Sequence, residues 1–252
     1  MQLKNYITFM AIIFFFLGSS LFGFTIAPVK IDESKPTYWQ WKAEHNLKKN
    51  DALDRGVVSI IVKGKGWGSA FFIDHDILVT AKHVVEDNAD GNFIVRGYGQ
   101  DKDGIAKVIA MSPSDDVAIL RLVKKGDVGI NPHIFKLREK KVDKYEVVYT
   151  YGFGRYPMSI IDLGTPHGAR GLIVDPEFTT FKNIYHSAAI SPGHSGSPLL
   201  DANGDVIGIS NATTQRTHLG TDQDDGYIKI AYQIFMAEPV FKITELLKTL
   251  EK

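Results

Sequence analysis

The sequence predicts an all-β body, built as barrels or as a sandwich, and two observations carry this expectation. Short apolar runs separated by turn residues recur from Gly56 to the end of the body, a pattern typical of barrels and sandwiches. A linker over about 124–142, which contains two glycines and a proline, separates two β-rich halves of similar size. The 252 residues suffice to bury a substantial core without forcing two independent domains.

Composition and charge exclude several classes of protein. Lysine plus arginine equals aspartate plus glutamate, at 29 each, and no basic stripe with interleaved aromatic residues occurs. This balance argues against a general nucleic-acid binder. The chain has no cysteine, which excludes disulfides, cysteine-ligated zinc and a thiol nucleophile. Its eight histidines lack the spacing of a metal site, so we expect neither a metal nor another cofactor.

Residues 1–24 differ from the rest of the chain. Lys4 precedes an apolar run, small residues follow that run, and no charge appears from Asn5 to Val29. This order is typical of an export signal, and the uncharged span is also long enough to cross a bilayer. A cleaved signal peptide and a membrane anchor helix both stay open. Because Lys4 favours a cytoplasmic N-terminus, we expect the body to be exported, as a periplasmic or extracellular protein, or anchored to the membrane.

The first half of the body is expected over about 56–123, after a connector of mixed charge at 25–55 with a short helix over 42–49. Ala81–Val85 is expected to end one strand and to begin a helical turn. The strands of this half are predicted at its apolar runs: Val57–Val62, Ser69–Ile73, Ile77–Thr80, Phe93–Arg96, Ala106–Met111 and Val117–Val123.

The second half is expected over about 143–235. Thr213–Gly226 is polar and predicts a solvent-exposed loop, and apolar residues at helical spacing predict a C-terminal helix over about 238–250. The strands are again predicted at apolar runs, one hairpin turning at Asn203-Gly204: Glu146–Tyr151, Leu172–Val174, Ile184–Ala188, the hairpin Leu199–Ile209, and Tyr227–Phe235.

The stretch Ala189–Leu200 contains a tight Gly-X-Ser-Gly turn between two apolar runs. Such a turn can aim the hydroxyl of Ser195 outward while neighbouring amide groups converge on one point. Gly193 allows a close backbone approach because it has no Cβ. A serine attacks a carbonyl only when a base takes its proton and donors stabilise the oxyanion. Taken alone, the turn is also compatible with an ordinary surface connection.

A serine nucleophile needs an imidazole base, and the base needs a carboxylate that orients it. His83 ends a predicted strand between apolar residues, and Asp116 lies where a buried strand begins. Taken alone, His83 could be a core histidine and Asp116 a residue of a strand-entry turn. Asp115 is the only close rival of Asp116, and we expect Asp115 to face solvent.

Together these three motifs resemble the chymotrypsin-like serine proteases, in the chain order His, Asp, Ser. Thr80–Val85, Asp116–Leu120 and Pro192–Pro198 are similar to the histidine, aspartate and serine motifs of that family, and the HtrA/Deg type is the closest subgroup. The resemblance covers about 56–250. It implies two packed six-stranded antiparallel β-barrels, the trypsin-like fold, with a protease domain over 56–252 and a cleft between the barrels.

The resemblance also implies roles for individual residues. His83 would act as general base, Asp116 would orient it and Ser195 would be the nucleophile. The amides of Gly193 and Ser195 would form the oxyanion hole. The family places Asn or Asp where this chain has His194, so we expect no activation by insertion of a new N-terminus.

Two further departures concern Ser197 and the C-terminal side of the domain. Ser197 replaces a usual glycine of the serine motif, and no PDZ domain is expected to follow. Ser197 and His194 keep a second hypothesis open, a catalytically silent trypsin-fold binding module tethered to a membrane. The leading hypothesis is a serine endopeptidase that acts on polypeptides.

The resemblance also implies the position of a substrate pocket. Ala189 and Ile190 would lie near its base, and Asn211, Ala212 and Thr213 would form its wall. Because no acidic residue occupies the base, the resemblance implies cleavage after small or medium aliphatic residues rather than after Lys or Arg.

Overall fold

A computed structural model of the chain describes residues 52–62, 64, 66–154, 166–174, 183–217 and 232–251. The signal or anchor expected at 1–24 and the connector helix expected over 42–49 lie outside these residues. Within the described ranges, no helix is both long enough and apolar enough to span a membrane.

The described residues form twelve strands and three α-helices. The first half contains helix α1 and strands β1 to β6, with helix α2 and a 3₁₀ turn between β3 and β4. The elements are α1 Ala52–Gly56, β1 Val57–Val62, β2 Gly66–Phe72, β3 Ile77–Thr80, α2 Lys82–Val85, β4 Phe93–Arg96, β5 Gly104–Met111, β6 Ala118–Lys124, β7 Val147–Gly152, β8 His167–Leu172, β9 Ile184–His186, β10 Pro198–Leu200, β11 Val206–Thr217, β12 Tyr232–Pro239 and α3 Val240–Leu250.

Strands β1 to β6 form a closed antiparallel barrel in the order β1-β2-β3-β6-β5-β4. Its interior is filled by alternating apolar side chains, among them Ile60, Phe72, Leu78, Phe93 and Leu120. Each large apolar side chain removed from water in this way contributes about 1.5–3 kcal/mol. The apolar runs of the first half therefore become strands because each has one face to bury.

Strands β7 to β12 form a second six-stranded antiparallel sheet in the order β8-β7-β10-β11-β12-β9. Its two edge strands approach each other, since Ile173, directly after β8, forms a bridge with His186 of β9. Two backbone hydrogen bonds, Val174 N–H to Tyr185 O and Ser187 N–H to Leu172 O, both 2.9–3.0 Å, extend this contact. The second sheet is therefore barrel-like, and the all-β class with two six-stranded antiparallel sheets is confirmed.

A shared apolar core joins the two sheets and the C-terminal helix. Phe71 and Ile119 from the first barrel and Tyr149 and Ile209 from the second sheet belong to one buried cluster. Helix α3 adds Ile243 to the same cluster, and the predicted C-terminal helix is therefore confirmed as a packed element.

The segment between the halves is tied to both of them. Phe135 donates its N–H to Phe72 O of the first barrel at 2.9 Å, and its ring is buried. Arg138 N–H donates to Val206 O at 2.9 Å, and Val206 N–H donates to Lys136 O at 2.8 Å. This linker fixes the relative position of the sheets that carry the site.

Three strand predictions in the second half differ from the structure. The strand expected at Leu172–Val174 is displaced, because β8 comprises His167–Leu172, a stretch without an apolar run. Thr213–Thr217 belong to β11 instead of a loop, because β11 pairs with β12 through Thr217. The last strand is Tyr232–Pro239 rather than Tyr227–Phe235, of which 227–231 lie outside the described residues.

One smaller difference occurs in the first barrel. Strand β2 comprises Gly66–Phe72 rather than the predicted Ser69–Ile73, so Gly66 and Gly68 lie inside the strand. Both glycines pair with β1, Gly66 with Val62 and Gly68 with Ile60. This early start brings Gly68 and Ser69 into the region between the two sheets.

Candidate active site

His83 and Asp116 form a two-bond pair at one end of the first barrel. Asp116 Oδ2 lies 2.7 Å from His83 Nδ1, and Asp116 Oδ1 accepts the backbone N–H of His83 at 2.9 Å. The two carboxylate oxygens thus hold both the ring and the main chain of His83. Since a carboxylate accepts a hydrogen bond, Nδ1 carries the proton and the lone pair is on Nε2.

The register of the first barrel explains why these two residues meet. Strands β3 and β6 are antiparallel, and Thr80 pairs with Ala118. Continuing this register beyond the strand ends brings the start of α2 beside the turn that contains Asp116. Helix α2 has no side-chain cap at its start, so its first turn leaves amide donors that Asp116 can bind.

Ser195 lies on a turn that is fixed by backbone hydrogen bonds. His194 N–H donates to Ser191 O at 2.9 Å, and Ser197 N–H donates to His194 O at 2.8 Å. Gly193 and Gly196 have φ angles of +99° and +89°, a region that residues with a Cβ rarely occupy. The two glycines on either side of Ser195 therefore permit this turn.

Strand β11 forms backbone hydrogen bonds with the Ser195 turn. Gly196 N–H donates to Ser210 O at 2.7 Å, and Ser210 N–H donates to Ser197 O at 2.8 Å. The Gly193 N–H has no protein acceptor among the described residues. This amide is therefore available to bind an oxygen.

The structure brings the Ser195 turn against the end of β3, just before helix α2, which contains His83. A Cβ on Gly196 would clash with Ser69 O and lie 2.9 Å from Ala81 N, and a Cβ on Gly68 would lie 2.7 Å from Val84 Cγ1 and 3.0 Å from Ser195 O. Gly196 therefore packs against the chain at Ala81, and Gly68 lies between Ser195 and Val84. His83 and Asp116 are thus in direct contact, and the Ser195 turn packs beside Ala81, two residues before His83.

Ser69 connects the two sheets at this region and was not singled out from the sequence. Its N–H donates to Ser195 O at 2.7 Å, and its Oγ donates to Gly193 O at 2.8 Å. The same Oγ accepts Phe153 N–H at 2.9 Å, while Ser69 O accepts Thr80 Oγ1–H at 2.7 Å. A serine directly before the apolar run Ala70-Phe71-Phe72 was the signal available in the sequence, and the structure shows that this serine is fully buried.

The pair of His83 and Asp116 alters the acidity of both groups. The hydrogen bond to Asp116 raises the pKa of His83 above its ordinary 6.5, against the opposing effect of partial burial. Burial by itself would raise the pKa of Asp116, but the hydrogen bonds and charge of His83 outweigh it and lower that pKa below its ordinary 3.8. The imidazole is therefore a stronger base than a free histidine, and Asp116 stays ionised beside it.

Asp115 does not face solvent as expected from the sequence. Its Oδ1 lies 2.9 Å from the Nζ of Lys242 on helix α3, and its Oδ2 accepts hydroxyl hydrogens from Ser112 and Ser114 at 3.0 and 2.8 Å. Lys242 is buried and also pairs with Glu238 at 2.5 Å. Asp115 thus fastens the aspartate turn to the C-terminal helix, while Asp116 faces His83.

The residues predicted to line a substrate pocket differ in how exposed they are. Ala189 is exposed, its carbonyl accepts the Thr150 hydroxyl at 3.1 Å, and Ile190 is buried. Asn211 is buried on β11, and its Oδ1 has no hydrogen-bond partner among the described residues. The backbone of residues 212 and 213 continues β11, and their side chains lie outside the description. No cluster of side chains in the described residues could hold a metal ion.

A profile of the trypsin-like peptidase domain matches residues 68–209 of the chain. The "Probable periplasmic serine endoprotease DegP-like" of Ectopseudomonas mendocina (strain ymp) is 30% identical over 182 residues, which are 72% of this chain and 35% of that protein. The protein of the same name from Chlamydia pneumoniae is 29% identical over 172 residues, 66% of this chain and 31% of its own length. The chain thus spans about a third of the length of these relatives.

Solved structures show the same fold at low sequence identity. The serine endoprotease from Yersinia pestis has a TM-score of 0.57 at 19% identity, covering 82% of this chain and 66% of that chain. A serine-to-alanine mutant of Rv3671c from M. tuberculosis H37Rv, in its inactive form, has a TM-score of 0.56 at 22% identity, covering 79% and 87%. The profile match spans more than half of the chain and includes the histidine, aspartate and serine motifs.

Proposed function

The chain belongs to the trypsin-like peptidase domain family, and from this premise we propose that it is a serine endopeptidase with Ser195 as nucleophile. His83 is the general base and Asp116 orients it. The observation that carries the proposal is the pair of hydrogen bonds between Asp116 and His83, 2.7 Å to the ring Nδ1 and 2.9 Å to the backbone N. Because Asp116 binds Nδ1, the lone pair on Nε2 can accept a proton, and the raised pKa of His83 makes the ring a stronger base.

The proposed reaction passes through an acyl-enzyme. Ser195 Oγ attacks the carbonyl carbon of the scissile peptide bond as its proton passes to His83 Nε2. The amides of Gly193 and Ser195 bind the oxygen that becomes negative. His83 then gives the proton to the leaving amine as the C–N bond breaks. Water, deprotonated by His83, attacks the ester, and the proton returns to Ser195 as the acid product leaves.

A fluorophosphonate probe tests this proposal directly, because it phosphonylates a serine only when the base and the oxyanion donors are assembled. We expect the wild-type protein to be labelled at Ser195 and the Ser195→Ala protein to remain unlabelled. Mass spectrometry of the labelled peptide identifies the site. Absence of labelling in a folded wild-type protein would instead favour the silent binding module.

We also propose a preference for small or aliphatic residues before the scissile bond. Ala189, at the proposed pocket base, carries no charge, and Ile190 beside it is apolar and buried. A lysine side chain bound against Ile190 would find no counter-charge at residue 189. In a peptide library we expect kcat/KM for Ala or Val at this position to exceed that for Lys by at least about tenfold.

The Ala189→Asp variant is the matched control for this preference. It places a carboxylate at the proposed base, so the relative kcat/KM for Lys should rise if residue 189 contacts the substrate side chain. A library profile of the wild-type protein dominated by Lys, Arg or Glu would contradict the proposed pocket.

We infer that the protein acts outside the cytoplasm. Two arguments support this: the relatives are named periplasmic, and residues 1–24 have the order of charge, apolar run and small residues of an export signal. Both a cleaved signal and a membrane anchor deliver the body to the same side of the membrane. Its substrates would then be exported polypeptides.

A further inference from the structure

We propose that His194, as a neutral imidazole, is a positioning residue that holds the oxyanion turn in its working shape. This inference rests on the proposed function. The side chain of His194 is 1% exposed, although it directly precedes the nucleophile. Its ring therefore contacts the protein interior and acts on the turn through its hydrogen bonds.

Both ring nitrogens of His194 have partners, and each partner fixes one role. Nδ1 lies 3.1 Å from the backbone N of Ser191, which can only donate. Nε2 lies 3.2 Å from the carbonyl oxygen of His167 on β8, which can only accept. The ring must therefore carry its proton on Nε2 and a lone pair on Nδ1. The hydroxyl of Ser191, 3.1 Å from Nδ1, can donate to the same lone pair.

The ring is also confined by close packing. His167 meets it edge to face, with ring centroids 4.5 Å apart. Gly154 backs onto the ring so closely that a Cβ there would clash with Nδ1, and a Cβ on Gly152 would lie 3.1 Å from Cδ2. The imidazole has no room to rotate away from Ser191 and His167.

These bonds determine the direction of the proposed oxyanion donors. The peptide between Gly193 and His194 is held at both ends, since Ser69 Oγ donates to Gly193 O at 2.8 Å and His194 N–H donates to Ser191 O at 2.9 Å. The preceding peptide, which carries the Gly193 N–H, follows Ser191 and Pro192. Because His194 Nδ1 pins the N–H of Ser191, it fixes the start of that segment and with it the direction of the Gly193 amide.

The hydrogen bonds require the ring to stay uncharged. An imidazolium would direct an N–H from Nδ1 at the N–H of Ser191, and two donors cannot bind each other. Burial, and next the neighbouring His167, lower the pKa of His194 to about 4, which keeps the ring neutral near pH 7. Among the described residues packed on the ring, from β7, β8 and the turn itself, His167 is the titratable one.

The test compares two substitutions of the same residue. His194→Phe keeps a planar ring of similar volume and loses both hydrogen bonds. His194→Asn places an amide oxygen near the position of Nδ1 and keeps the bond from Ser191. We expect the Phe variant to lower kcat by about tenfold to a hundredfold with KM within about twofold. Complete loss of one oxyanion donor costs about 10²–10³, and a donor that is misdirected but still present should cost less. The Asn variant should stay within about threefold of wild type.

His186→Phe is the matched control for loss of a buried histidine. His186 on β9 is also fully buried and has a pKa of about 3, lowered by burial, but its ring stacks on Phe235 and its backbone bridges to Ile173. Its substitution should leave kcat per folded molecule unchanged. If His194 had only a structural role, His194→Phe would lower the melting temperature as His186→Phe does, and kcat per folded molecule would stay at the wild-type value in both proteins.

Nitrogen NMR of ¹⁵N-histidine-labelled wild-type protein gives a readout that does not depend on a variant folding. The His194 signal, assigned by its loss in His194→Asn, should be that of a neutral ring protonated on Nε2 at pH 7. A ring protonated on Nδ1, an imidazolium, or a folded His194→Phe protein with wild-type kcat would overturn the inference. If the fluorophosphonate probe does not label the wild-type protein, the proposed function is wrong. The NMR signal of His194 still tests the tautomer in that case, because it does not depend on activity.

Discussion

Ser195→Ala is expected to lower kcat for a cleavable peptide by on the order of a millionfold. In the proposed mechanism the substitution removes the atom that forms the covalent bond to the substrate, while the turn keeps its backbone hydrogen bonds to Ser69 and Ser210. Because substrate contacts remain, KM should change little. The residual rate, about 10³–10⁴ above the uncatalysed reaction, would come from the oxyanion donors and from binding.

Steady-state kinetics with one chromogenic peptide measures this effect, and Ser197→Ala is the matched control. Ser197 is fully buried two residues from Ser195, and its Oγ has no hydrogen-bond partner in the described part of the chain. Removing that hydroxyl should leave kcat near the wild-type value. A Ser195→Ala protein, folded by circular dichroism, that keeps a tenth of wild-type kcat would contradict the assignment of the nucleophile.

The sequence predicts the first barrel well because its strands are local and apolar. Val57–Val62, Ile77–Thr80 and Phe93–Arg96 are found with the predicted bounds. Each has a buried face that the pattern of apolar residues displays directly. The strands of the second sheet were harder to predict from the sequence. Strand β8 has the sequence His-Gly-Ala-Arg-Gly-Leu, and its pairing with β7 stabilises it rather than an apolar face of its own.

The site divides in the same way between local and distant interactions. The motifs around His83, Asp116 and Ser195 were recognised because each is a short run of residues with its own pattern. The hydrogen bond from Ser69 Oγ to Gly193 O joins residues 124 positions apart, and the ion pair of Lys242 with Asp115 joins the C-terminal helix to a turn of the first barrel. No local sequence pattern predicts these two contacts, because they depend on how distant segments of the chain pack together.

Asp116→Asn is expected to lower kcat by about 10⁴ at neutral pH. The carboxylate of Asp116 accepts both the ring N–H and the backbone N–H of His83, at 2.7 and 2.9 Å. An asparagine has one carbonyl oxygen and one NH₂ group, so it can donate to Nδ1 and select the ring tautomer with its proton on Nε2. His83 would then present an N–H to the nucleophile where a base needs a lone pair.

The pH dependence separates this effect from general damage to the fold. Because the hydrogen bond from Asp116 raises the pKa of His83 above 6.5, the acidic limb of the wild-type kcat/KM profile should have its midpoint above that value. In the Asn variant the negative charge is absent, so the midpoint should move to lower pH. A profile whose midpoint does not move would contradict the pairing of His83 with Asp116.

The effect of this pair on stability follows from the direction of each shift. The raised pKa of His83 means that its contribution is complete below 6.5 and is lost as the pH rises through the raised pKa. The lowered pKa of Asp116 means that its contribution is complete above 3.8 and is lost as the pH falls through the lowered pKa. The difference in melting temperature between wild type and Asp116→Asn should therefore be largest between these two values.

Asp115→Asn completes the experiment as a control of the same chemistry one residue away. The carboxylate of Asp115 faces Lys242, whose pKa is raised by its hydrogen bonds to Glu238 and Asp115 against the effect of burial. Its neutralisation leaves a buried ammonium with one fewer counter-charge, so the melting temperature should fall while kcat per folded molecule and the midpoint of the pH profile stay at wild-type values. If Asp115→Asn lowered kcat as much as Asp116→Asn does, the turn as a whole, rather than the carboxylate of Asp116, would be what His83 requires.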